Sequence, residues 1–172
     1  MAQYKISGHG VVEHNFLASE ATRQIEAQTP VKDGIETLEN GMILFIDRKK
    51  NEIVKEEVSC PYLMHSTVRY YRAGERGLNH FVFNVNNEEE LPRLWTLSEG
   101  DSFHTNLISG DYSSNEEFDT AFAKGSLYGY PDGNGMIKVT ETRNENAKCE
   151  FIVKKSTMQN DEVGFYVVVN KA

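Results

Sequence analysis

The side chains best suited to chemistry in this chain of 172 residues are five histidines, two cysteines and 26 carboxylates. His9, His14, His65, His80 and His104 contain no pair at i, i+2 or i, i+4. The spacing that turns two imidazoles toward one metal from a strand or a helix is therefore missing, and no metal site is expected. Nucleophilic catalysis needs a Ser or Cys with a base and an orienting group. No GxSxG is present, Cys60 precedes Pro61 without a basic neighbour, and Cys149 lies between Lys148 and Glu150. What is left is a constellation of His104, Asp101 and Cys60 or Cys149, which must come within hydrogen-bond reach to act. With 26 acids, carboxylate pairs arise by chance and none is singled out. Gly129-Tyr130-Pro131-Asp132-Gly133-Asn134-Gly135 has calcium-loop composition, but Met136, Ile137 and Val139 follow too soon for the remaining ligands, so it reads as a turn. Trp95, Tyr128 and Tyr130 form a conceivable stacking platform for a sugar or small molecule.

The elements that must position these residues read as strands. Apolar and β-branched runs broken by Gly, Asn and Asp recur at Met42–Asp47, Tyr62–Tyr71, His80–Val85, Pro92–Leu97, Gly125–Tyr130, Met136–Thr140, Lys148–Lys154 and Val163–Val169. The last two predict a hairpin turning at Gln159-Asn160-Asp161. One helix is expected over Glu116–Lys124: Ser114 caps it, Glu116 and Glu117 suit its dipole, Phe118, Ala121 and Phe122 share a face, and Gly125 stops it. Ser19–Gln28 is a weaker helical stretch whose single large apolar residue is Ile25.

The fold class that follows is mainly β: a small barrel or sandwich-like body over 41–172 with one short helix and an extended N-terminal arm over 1–40. Val11–Leu17 is the strand candidate of those forty residues, and an edge strand and loop packed on its own body is the alternative reading of them. The body divides, if at all, near 86–91, where Asn86-Asn87-Glu88-Glu89-Glu90 precedes Pro92. The apolar residues of the arm, Tyr4, Ile6, Val11, Phe16, Leu17 and Ile25, are its candidate partner contacts.

Charge narrows the partners. The formal net charge is −8, with 10 basic and 11 acidic side chains in residues 1–86 against 8 and 15 in residues 87–172. Such a surface does not make the phosphate contacts that drive nucleic-acid affinity, and it is repelled by anionic membranes. No apolar run reaches the roughly 18 residues of a membrane span. Two cysteines in unrelated contexts do not make a disulfide framework. The near-neutral half is expected to supply the contact surface and the acidic half to face solvent.

Four segments resemble one another's counterparts in a known group. Leu38-Glu39-Asn40-Gly41-Met42-Ile43-Leu44-Phe45-Ile46-Asp47 has a Gly turn that launches a strand ending in an acidic turn. Gly77-Leu78-Asn79-His80-Phe81-Val82-Phe83 follows a Tyr-rich stretch, Tyr70-Tyr71-Arg72. Leu91–Asn106 joins a Pro-Arg-apolar strand, a Gly-Asp turn and a Thr-Asn strand, and Phe151–Val169 closes the chain as a hairpin. This series resembles the small β-rich head decoration and cement proteins of tailed bacteriophages. The chain departs from their compact pattern in length and in the inserted helix. The resemblance implies a non-enzymatic virion protein on the capsid exterior, made in the host cytoplasm, that stabilises the head by bridging capsomers. Its partners would be the major capsid protein and further copies of itself, as a trimer or dimer, with no cofactor, no nucleic acid and no membrane. A tail or baseplate structural protein, and a small-molecule or carbohydrate-binding β-barrel, are the alternatives.

Overall fold

The computed structural model describes residues 2–4, 10, 12–22, 24–66, 82–84, 92–157 and 163–172, with 2–4, 14 and 82–84 described by their backbone. These residues form a mainly β body. The larger sheet has eight strands, in spatial order β1 (Ala2–Tyr4), β11 (Ile108–Gly110), β13 (Ile137–Thr140), β12 (Leu127–Pro131), β14 (Glu150–Thr157), β15 (Val163–Lys171), β10 (Ser102–Thr105) and β2 (Val12–Phe16). Its neighbours are antiparallel except the parallel pair β11–β13. A five-stranded sheet runs β3 (Ile25–Glu26), β9 (Leu94–Thr96), β7 (Tyr62–Met64), β5 (Ile43–Asp47), β6 (Glu52–Val54), and β4 (Thr37–Glu39) pairs with β8 (Val82–Asn84).

The two larger sheets share one core. Ile43, Phe45, Val54 and Leu63 of the five-stranded sheet cluster with Phe103, Phe151, Val153, Phe165 and Val167 of the eight-stranded sheet. Helix α2 (Asn115–Ala123) adds Phe118, Ala121 and Phe122 to the same layer, with Phe118 edge-on to Phe165 at 5.9 Å between ring centroids. Its N-terminus forms as expected: the Ser114 hydroxyl accepts from the Glu117 N–H at 3.2 Å, satisfying one of the donors a helix start leaves open. Gly125, at φ +143°, ends it in a conformation that L residues avoid.

The structure decides among the readings left open. The eight-stranded sheet ends in β1 and β2 without closing, so the body is sandwich-like and not a barrel. The weaker helical stretch at Ser19–Gln28 is helical only at its start, as α1 (Ala18–Thr22), and Ile25–Glu26 within it is strand β3. Residues 12–26 do not project as an arm: β2 pairs with β10, β3 pairs with β9, and Val12 and Leu17 lie in the shared core. The strand candidate Val11–Leu17 is β2, and over this stretch the edge-strand reading holds: a strand is held by backbone pairing, which needs only one or two inward side chains to register it. Within their runs, Tyr62–Met64 and Val82–Asn84 are strands; residues 67–81, the 86–91 boundary and the turn at 159–161 lie outside the described residues.

Candidate interaction face

Alternation along the strands of the eight-stranded sheet sends one set of side chains into the core and the other to the opposite face. On β14, Phe151 and Val153 are fully buried while Ile152 is half-buried and Lys154 exposed. On β15, Phe165, Val167 and Val169 are inside while Tyr166 and Val168 are half-buried. On β12, Leu127 and Gly129 are inside and Tyr128 and Tyr130 half-buried. The outer face thus keeps large apolar groups that the core does not use.

Strand register arranges them in rows. Thr140 lies opposite Tyr128, Tyr128 opposite Ile152, Ile152 opposite Val168, Val168 opposite Ser102, and Ser102 opposite Phe16. This transverse row crosses six strands, about 24 Å at the usual strand spacing, and ends at Phe16, which is 63% exposed. Beside it runs a polar row: Glu13 opposite His104, His104 opposite Tyr166, and Tyr166 opposite Lys154.

His104 is held by both ring nitrogens. Nδ1 lies 3.0 Å from Asn15 Nδ2, Nε2 lies 3.2 Å from Ser156 Oγ, and the ring tilts against Tyr166 at 5.3 Å. With Asn15 donating, Nδ1 accepts and the ring proton sits on Nε2 toward Ser156. Burial pushes its pKa down, against the opposing pull of Glu13. Ser156, His104 and Asn15 therefore tie β14, β10 and the edge strand β2 into one rigid surface.

The far end of the face is fixed by a second network. Glu150 is buried and takes a bidentate pair from Arg143, Nε to Oε2 at 2.9 Å and Nη2 to Oε1 at 3.0 Å, with Asn170 Nδ2 donating to Oε1. Tyr130 Oη accepts from the Asn144 N–H at 2.6 Å and lies 3.5 Å from Glu150 Oε2. The guanidinium beside it holds the Glu150 carboxyl below the usual carboxylate range. This cluster pins the connection between β13 and β14.

The constellations of reactive residues are not assembled. Asp101 is buried and its carboxylate accepts from the Ala18 N–H at 2.7 Å and the Ser98 N–H at 2.8 Å, bracing α1 and a turn and not His104. Burial pushes the Cys149 thiol up to about 12, far from the range of a nucleophilic thiolate, and Cys60 is exposed elsewhere. Trp95 packs on the core and donates its indole N–H to the His65 carbonyl at 3.2 Å, on the other sheet from Tyr128 and Tyr130. The sugar-stacking platform therefore loses its third ring. No group of three metal-ligating side chains occurs among the described residues. Asp132 accepts from the Asn134 and Met136 N–H groups at 2.7 and 2.9 Å, which makes its loop the tight turn expected.

Of the partner contacts expected on the first forty residues whose side chains are described, Phe16 is the one presented openly on the face. Leu17 is buried and so withdrawn from any partner, and Ile25 is half-buried opposite Trp95. Tyr4 is placed by its backbone opposite Ile108, and Ile6 and Val11 lie outside the described residues. Ile152, Lys154, Tyr166 and Val168 were not singled out by sequence reasoning. The signal was the run Val167-Val168-Val169, apolar at both parities where a one-faced strand needs only one. No helix among the described residues is long and apolar enough to cross a membrane. No family model, no curated protein and no solved structure matches the chain.

Proposed function

We propose that this chain is a non-enzymatic assembly protein that works by protein–protein contact through the outer face of its eight-stranded sheet. In line with the resemblance of its segments, its setting is the head of a tailed bacteriophage, where it decorates the capsid, binds the major capsid protein lattice and bridges capsomers. The observation that carries the reading is the row Tyr128, Ile152, Val168 and Phe16 left on a face that the core does not need. A sheet already fixed by its ladders and by the His104 and Glu150 networks presents that row without the ordering cost that weakens binding by loose segments. Aromatic anchors among aliphatic neighbours are the composition of interface centres.

Charge placement supports an external position. Among the described acids of the second half, Asp111, Glu116, Glu117, Asp119, Glu141 and Glu145 lie on α2 and the connections beside it, all exposed but the half-buried Asp119, while Asp101 and Glu150 are buried. The division of labour is therefore by face and not by half of the chain. Co-sedimentation of the full chain with undecorated capsid shells tests the reading. Binding in the micromolar range is expected, weakened at least about tenfold in Ile152→Ser/Val168→Ser, since losing two apolar interface groups removes roughly 2 kcal/mol or more. Failure of the wild-type chain to sediment with shells overturns the head assignment.

A further inference from the structure

We infer that Asn134 is a site of spontaneous covalent modification, where the chain converts its own side-chain amide to aspartate and isoaspartate through a cyclic imide. The sequence holds two Asn–Gly pairs, Asn40-Gly41 and Asn134-Gly135. In both, the glycine lacks the Cβ that would hinder attack of its backbone nitrogen on the preceding amide. The fold treats the two pairs oppositely. Asn40 is half-buried and held at both ends of its amide: Nδ2 donates to the Ser66 carbonyl at 3.1 Å, and Oδ1 accepts from the Ser66 N–H at 2.8 Å. The Gly41 N–H is given to the Met64 carbonyl at 2.8 Å. Asn134 is exposed, and neither its side-chain amide nor the Gly135 N–H has a partner among the described residues. Asp132 shapes the turn by accepting from the N–H groups of Asn134 and Met136, and the Gly135 nitrogen between them stays unused. Gly135 itself is buried against Met42, so its proton is removed by a small base, solvent hydroxide.

The deprotonated Gly135 nitrogen attacks Asn134 Cγ within the same turn, where nucleophile and electrophile are already neighbours. The N–Cγ bond forms, the Cγ–Nδ2 bond breaks, and Nδ2 leaves as ammonia with a proton taken from water. Water then opens the imide at either carbonyl, and no oxidant or reductant enters. Breaking the new N–Cγ bond gives aspartate in an ordinary backbone, which changes only the charge of an exposed side chain. Breaking the original peptide bond gives isoaspartate, whose backbone runs through Cβ and is longer by a methylene. The turn is tied closely on both sides of that insertion. The Gly135 carbonyl accepts from the Ile43 N–H at 2.9 Å, at the start of β5, and the Met136 carbonyl accepts from the Asp132 N–H at 3.0 Å. The first of these bonds joins a turn of the eight-stranded sheet to a strand of the five-stranded sheet. Isoaspartate displaces the Gly135 carbonyl from Ile43, so an aged molecule holds its two sheets together less firmly.

Peptide mapping by mass spectrometry of the folded full chain, kept at mildly alkaline pH, reads both pairs in one sample and needs no partner. Conversion at Asn134 is expected to outrun conversion at Asn40 at least about tenfold, because Asn40-Gly41 must first break three hydrogen bonds. In urea that unfolds the chain, the two pairs are expected to react at similar rates, which assigns the difference to the fold. Chromatography then separates the aspartate and isoaspartate forms. The isoaspartate form is expected to show a lower urea midpoint than the variant Asn134→Asp, whose midpoint matches the wild-type chain. An Asn134 that converts no faster than Asn40 in the folded chain overturns the inference, as does an advantage that persists in urea. An isoaspartate form as stable as Asn134→Asp overturns the predicted loss of the tie between the sheets.

Discussion

The strand β5 and the strand β15 are both strongly apolar, and they spend that apolarity differently. On β5, Ile43 and Phe45 enter the core shared by the two sheets, while Leu44 and Ile46 enter a second cluster with Leu38, Ile53, Tyr62, Met64 and Leu94. All four are essentially inaccessible. Both parities are needed because both faces of that sheet are covered. On β15, Phe165, Val167 and Val169 are inside, and Tyr166 and Val168 are left on a face with nothing from the described core on it. The same kind of run, read only as hydrophobic content, marks a doubly covered strand in one case and a strand with one face left partly open in the other. Equal apolarity with unequal burial is the basis for proposing that face as the contact surface.

The comparison breaks most severely at β5. Phe45→Ala leaves a cavity between the sheets and is expected to cost about 3–5 kcal/mol, seen as a lower urea midpoint. Ile152→Ser/Val168→Ser, on the open face, is expected to change stability by less than about 1 kcal/mol while weakening association at least about tenfold. If both variants lose stability equally, the distinction between the strands fails.

A second, smaller effect tests the network that fixes the end of the face. Arg143 is half exposed and regains water when its partner is lost, whereas Glu150 is buried and does not. Arg143→Ala is therefore expected to cost more stability than Glu150→Gln, because it takes the charge partner from a buried carboxylate. The pH dependence follows in sign. The folded-state pKa of Glu150 lies below its unfolded value, so its contribution is complete above the unfolded carboxyl range and is lost as pH falls through the folded value. Urea titrations at neutral and acidic pH should show the wild-type chain losing more stability on acidification than Arg143→Ala. An equal loss contradicts the assignment.

Gly129 sharpens the inward side of the larger sheet. A Cβ there would sit 2.6 Å from Ile137 Cγ2 and 2.8 Å from Val153 Cγ2. Gly129→Ala should cost about 1–3 kcal/mol through overpacking, measured by thermal unfolding. Smallest is Ser114→Ala, which removes the hydroxyl that accepts from the Glu117 N–H and should cost about 1 kcal/mol.

Much of the fold was legible because local signals and tertiary demands agreed. Ser114, the Phe118/Phe122 spacing and Gly125 wrote α2, and Phe151 and Val153 alternating with more polar neighbours wrote half of the terminal hairpin. The strand at residues 12–16 was legible as the candidate Val11–Leu17, but whether it was an arm or an edge strand was not, because that depends on backbone pairing to β10 and not on apolar periodicity. The face was less legible than the fold. Phe16 was picked out as an exposed apolar residue on a supposed arm, yet its neighbours in space, Ser102, Val168 and Ile152, come from three strands separated by up to about 150 residues of chain. A transverse row exists only in the register, which single strands do not specify.

Hydroxyl-radical footprinting of the full chain, dilute against assembled, tests the central claim most directly. The account predicts that oxidation of Tyr128, Tyr166 and Phe16 falls on assembly, while Val58 and Cys60, exposed on the connection between β6 and β7, react as before. Protection of Val58 and Cys60 with Tyr128, Tyr166 and Phe16 unchanged would contradict it.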